Sequence, residues 1–194
     1  MTLRPGAWRR QRPMGSTGGI LERISTVGSS RNRALSPSAW PAAVGNGLAA
    51  GVVGTACMTL SSAIEMKLRD RPPSSAPARA AAKVLGVEPI GDSERARFAN
   101  IVHWSYGTAW GAARGLIGAL GLRGASAAGL FLATVWGAEL VMLPALDIGV
   151  PPVWRWSREE VLIDGCHHLV YATATSTAYE LLDERTARGG LLRA

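Results

Sequence analysis

Lysine is nearly absent from this chain. Lys67 and Lys83 are the only two, so the net charge of +7 is carried almost wholly by arginine. Such a skew reflects a GC-rich genome rather than a nucleic-acid partner. A nucleic-acid binder needs its basic residues on one face with stacking aromatics among them, whereas here the arginines sit in tails and loops beside apolar blocks. Cysteine is as scarce: Cys57 and Cys166 both lie inside apolar blocks, which argues against a secreted disulfide framework. There is no Gly-rich phosphate loop, nucleophile elbow or metalloprotease helix. No catalytic residue stands out, and the chain does not read as an enzyme. Residues 1–36 lack a continuous apolar core, which excludes a secretory signal peptide. They hold seven arginines and one acid, Glu22, and read as a disordered basic tail near anionic lipid, with an organellar transit peptide as the rival.

From Ser36 to Ile64 there is no charge at all, more than enough to cross a hydrocarbon core of roughly 30 Å. At 47% apolar and 18% charged residues, the composition is high for a soluble domain. Four helix-length blocks follow from it, over about 43–65, 98–122, 125–146 and 161–182, with residues 183–194 as a polar C-terminal tail. Lys67–Arg97 is the one substantial loop, and its ARAAAKVLGV stretch suits a short helix on the membrane surface with Arg79 and Lys83 on its polar side. The fourth block holds Asp164, His167, His168 and Glu180, and spans only if the others shelter it.

Small residues recur at four-residue spacing: Gly47, Gly51 and Thr55 in the first block, Gly107, Gly111 and Gly115 in the second, and Gly129, Ala133 and Gly137 in the third. In water, glycine costs a helix roughly 1 kcal/mol relative to alanine. In a bilayer it is tolerated and lets two backbones approach. These ladders are expected to pack helices, either within the protein or in a homo-oligomer or a complex with another membrane protein. The expected fold is all-α, an integral membrane four-helix bundle.

His103-x-x-Tyr106-Gly107-Thr108-Ala109 matches His168-x-x-Tyr171-Ala172-Thr173-Ala174, early in the second and fourth blocks, and Ala49-Ala50-Gly51 matches Ala127-Ala128-Gly129 in the first and third. Two helical hairpins in parallel repeat follow, with both His/Tyr pairs at similar depth. The stretches GLAAGVVGTACMT (Gly47–Thr59), VHWSYGTAWG (Val102–Gly111) and HHLVYA (His167–Ala172) together resemble small bacterial inner-membrane proteins of the YagU-like family, over about residues 43–182. The resemblance implies a multi-pass bacterial inner-membrane protein in contact with the lipid bilayer. It brings no activity or catalytic residue with it.

Ionisable groups within membrane helices are costly and mark function by default. His103, Tyr106, Asp164, His167, His168 and Tyr171 form a candidate polar pocket for proton or small-solute handling, with Asp164 and His168 four apart on one helix face. The plainer reading makes these groups interhelical glue or interfacial contacts. Arg114 and Glu139, on consecutive helices, are expected to form an intramembrane ion pair; Arg114 with Glu180, or a snorkelling Arg114, is the rival. Two axial histidines for a haem (His103 with His167 or His168) and a zinc site from Asp164, His168 and His103 are weaker options, so no cofactor and no metal is expected.

Overall fold

The computed structural model describes residues 40–191; the basic tail expected over residues 1–36 lies outside them. Every described element is helical: α1 (Trp40–Arg69), α2 (Ala76–Leu85), α3 (Asp92–Ala119), α4 (Gly124–Ala145) and α5 (Arg158–Leu191), with a single 3-10 turn at Val153–Arg155. Two of them, α1 and α4, are long and apolar enough to cross a membrane.

Local chemistry sets the boundaries. The helix α2 ends where Gly86 takes a left-handed conformation at φ 66° and donates its N–H to Ala82 O, the usual glycine stop. Helix α5 starts on a capping box: Ser157 N–H donates to Glu160 Oε2 at 2.7 Å and Glu160 N–H to Ser157 Oγ at 3.1 Å. That backbone donor holds the exposed Glu160 carboxyl below the usual carboxylate range. The same helix runs on to Leu191, through most of the segment read as a polar tail. Arg123 Nη2 meets Asp183 at 2.6 Å and Asn46 meets Thr186 at 3.1 Å, which ties that extension to the α3–α4 turn and to α1.

Each long helix is antiparallel to the long helix before it. Helix α1 packs against both α3 and α5, and α4 lies mainly against α5. The α1–α3 seam is made of backbone. A Cβ on Gly51 would lie 2.6 Å from Thr108 O, one on Gly111 would lie 2.8 Å from Gly51 Cα, and Gly47 and Gly115 are as tightly placed against Gly111 and Ala43. Only glycine permits this approach. Thr55, fully buried, fills the space over Gly107 and donates to Gly51 O at 2.7 Å. The ladder on α4 is used differently: added Cβ atoms on Gly129 and Gly137 would meet nothing within 4 Å, and Ala133 is exposed. What α4 buries instead is Ala127, Phe131 and Val135, a stripe that packs with Tyr171 and Ala172 of α5 and Ile117 of α3. Beneath the other end, Ala76 and Ala80 of α2 pack on Leu143 of α4, and Arg79 and Lys83 stay exposed.

Candidate functional site

Helices α1, α3 and α5 bring all three histidines to the same half of the bundle. His103 of α3 meets α1 at Thr59 and His167 of α5 meets it at Ser61, a difference of about 3 Å along the α1 axis. Their partners are nonetheless different. Thr59 Oγ1 gives its one hydrogen to Thr55 O at 2.7 Å, so His103 Nε2–H donates to Thr59 Oγ1 at 2.8 Å. His167 is held through Nδ1 by Ser61 Oγ at 2.8 Å, and lies 3.9 Å from Glu65, a carboxylate clasped by Arg71 at 2.6 Å and by Arg69 at 3.3 Å. The Arg71 guanidinium gains from that clasp and is pushed above its ordinary range by the Glu65 carboxylate.

His168 occupies the densest cluster. It is 3% exposed. Its Nδ1–H donates to Asp164 O at 2.9 Å, one turn back, and its Nε2 lies 2.6 Å from Glu139 Oε2 on α4. Trp136, one turn before Glu139, stacks its ring on the imidazole at 6.3 Å between centroids and donates Nε1–H to Asp164 Oδ2 at 2.7 Å. Gly165 makes room for that indole, since a Cβ there would come within 3.1 Å of it.

This geometry fixes where a proton is. A carbonyl oxygen only accepts, so Nδ1 carries hydrogen. Nε2 and a carboxylate oxygen 2.6 Å apart are then two acceptors unless a proton lies between them. Either His168 is an imidazolium facing a carboxylate, or neutral His168 accepts from a protonated Glu139. The pair therefore holds one shared proton, beside the second carboxylate of Asp164 at 3.6 Å from Nδ1.

The tyrosines divide. Tyr171 is buried, stands 5.7 Å from the Phe131 ring and donates to Gly107 O at 2.6 Å, tying α5 to α3. Tyr106 is 38% exposed and packs edge-on against Trp110. Of the six residues expected in one pocket, Asp164 and His168 share a cluster; His103, His167 and Tyr171 each have separate partners, and Tyr106 faces outward. Glu139 and Trp136 complete the cluster instead. Their i,i+3 spacing puts both on one face of α4, and only the α4–α5 contact turns that face to His168.

Arg114 does not pair with Glu139. It is completely buried, donating Nη2–H to Glu180 Oε1 at 3.0 Å and Nε–H to Ser176 Oγ at 3.1 Å, with its guanidinium 4.4 Å over the Tyr179 ring. Glu180 Oε1 also accepts from Gly124 N at 2.7 Å, the first N–H of α4. The reason is level: Arg114 and the α4 N-terminus stand at one end of the bundle, and Glu139 stands two-thirds along α4 beside His168.

Among the described residues, no three His, Cys, Asp or Glu side chains are gathered to hold a metal ion. Comparison with family profiles, with characterised proteins and with solved structures gives no significant match.

Proposed function

We propose that this chain is a multi-pass bacterial inner-membrane protein that takes up and passes on protons at the His168–Glu139 pair. The observation that carries the proton reading is the 2.6 Å Nε2–Oε2 separation with Nδ1 already committed as a donor. Asp164 and Trp136 act as positioning residues, fixing ring orientation and tautomer. The membrane reading is supported by an inside-out distribution of polarity. Between Phe98 and Leu182 the charged or imidazole side chains that fall within the apolar blocks are His103, Arg114, Glu139, Asp164, His167, His168 and Glu180, and none is exposed. The outer surface instead presents Val52, Val53, Leu60, Ile64, Leu130, Val141 and Leu169, at 37% exposure or more. In water such a surface invites association; in lipid it is the expected one, with charges turned to the bundle interior. Four spans in two parallel hairpins accommodate α3 and α5, whose ionisable groups the other helices shelter. The resemblance to the YagU-like family points to the same location.

Purified protein in vesicles containing a pH-sensitive dye tests the proton reading. After an acid jump outside, wild-type vesicles should acidify faster than protein-free vesicles, and Glu139→Gln should return the rate to the protein-free level while keeping its helical circular dichroism. Wild-type vesicles no leakier than empty ones would end the proton reading.

A second reading, a scaffold that docks other membrane helices, draws on one observation: the Gly129–Ala133–Gly137 ladder of α4 has open space over it. Loss of an oligomer in Gly129→Leu, with folding intact, would favour it.

A further inference from the structure

The end of the bundle that carries the α1–α2 loop holds a crevice of about 350 Å³ between the last turns of α1 and the early turns of α5. Ile64, Leu68, Leu162 and Ile163 make it largely apolar, and Leu68 and Leu162 are 80% and 69% exposed at its mouth. His167, 8% exposed, is its most enclosed polar residue. A serine hydroxyl has one hydrogen, and Ser61 Oγ has no other acceptor among the described residues, so it donates to His167 Nδ1 and leaves the ring proton on Nε2. That Nε2 has no hydrogen-bond partner; Glu65 Oε2 at 3.9 Å is too far. The surrounding charges cancel. Arg69 bridges Glu65 at 3.3 Å and Glu159 at 2.9 Å, and Arg71 clasps Glu65, so two guanidiniums face two carboxylates.

An apolar slot with one buried N–H donor and no net charge has the chemistry of a site for an uncharged amphiphile. We propose that this crevice binds the head of a neutral membrane lipid through a carbonyl oxygen that accepts from His167 Nε2–H, its hydrocarbon lying along Ile64, Leu68 and Leu162. A quinone ring and a glycerolipid ester share that carbonyl. An ion is disfavoured by the cancelled charges, and a buried donor left without an acceptor is costly, a cost that the carbonyl relieves. The inference rests on the membrane reading and is independent of the proton pair.

Cys166 is exposed and lines the crevice, so its alkylation reports occupancy. In the full chain carrying Cys57→Ala, held in lipid-free detergent micelles, N-ethylmaleimide modification of Cys166 is followed by mass spectrometry. Decylubiquinone and dioctanoylglycerol are titrated separately. At least one should slow alkylation by a saturating factor that rises with concentration as 1 + [L]/Kd. His167→Phe should remove the protection, measured against that variant's own unliganded rate, and His167→Gln, which keeps an N–H donor, should retain it. Protection by decylubiquinone alone identifies a quinone; by dioctanoylglycerol alone, a glycerolipid; by both, the carbonyl without further selection. Protection by neither, or protection that survives His167→Phe, overturns the proposal. Failure of the membrane reading shows separately, as release of the protein from carbonate-washed membranes.

Discussion

Gly111→Leu should prevent the protein from accumulating in a folded form, whereas Gly129→Leu should be as abundant and as thermally stable as the parent. Both glycines belong to ladders of the same spacing, so propensity alone gives the two changes the same sign, slightly favourable in each helix. Packing separates them. A Cβ on Gly111 would lie 2.8 Å from Gly51 Cα and closer still to Gly47 O, and both neighbours are main chain that no rotamer change can move aside. Accommodating a leucine means parting α1 from α3. That sacrifices the seam on which Thr55 and Thr59 are also placed, and with Thr59 the His103 contact. Overpacking of ordinary cores costs about 1–3 kcal/mol, and occasionally more; a branched side chain against two backbones belongs at or beyond the upper end. Gly129 faces open space and has no such conflict. Yield of detergent-extracted protein and its melting temperature, compared across parent, Gly111→Leu and Gly129→Leu, check the contrast. Equal behaviour of the two variants would mean that the backbone seam is not where the helices meet.

Glu180→Leu should destabilise the bundle by about 3 kcal/mol, the lower part of the range for breaking a buried ion pair, since Glu180 is one-third exposed and Arg114 is not exposed at all. The loss has two parts. Arg114 keeps Ser176 and the Tyr179 face but loses its counter-charge in a dry surrounding. The first N–H of α4 also loses its acceptor, where a negative charge complements the helix dipole. Replacing both partners, Arg114→Met with Glu180→Leu, should recover most of the stability, because an apolar pair of similar size leaves no unpaired charge behind. Unfolding midpoints of the two single variants and the double variant measure the coupling. A double variant no more stable than Glu180→Leu would show that Arg114 and Glu180 do not act as a pair.

How much of this could be read from the residues depends on the range of the interaction. The four long helices were legible because helix-length apolar blocks are a local signal, and the α1 and α3 ladders because their spacing matches the helix period. The capping box at Ser157–Glu160 is equally local and was there to be read. Which ladder found a partner was not legible: Gly129, Ala133 and Gly137 look in sequence like Gly107, Gly111 and Gly115, and only the third dimension turns them outward. The sequence ranks the true partner of Arg114, Glu180, behind Glu139 for the same reason. Counting residues from the α3–α4 turn already sets Arg114 and Glu139 at different depths, and it says nothing of direction around the helix. Arg114 points to the α5 stripe of Ser176, Tyr179 and Glu180, and Glu139 points to His168. In the site, Asp164 and His168 came together because an i,i+4 relation is intrinsic to a helix. Glu139 and Trp136 needed the α4–α5 contact, which no short-range pattern encodes.

The most direct test of the account is where the full chain goes when membranes of expressing cells are washed with alkaline carbonate. Four helices whose apolar blocks turn their charges inward and leucine, isoleucine and valine outward should leave the protein in the membrane pellet and release it only with detergent. Recovery of the folded protein in the carbonate supernatant would mean that the apolar exterior faces water or a partner rather than lipid, and would contradict the account.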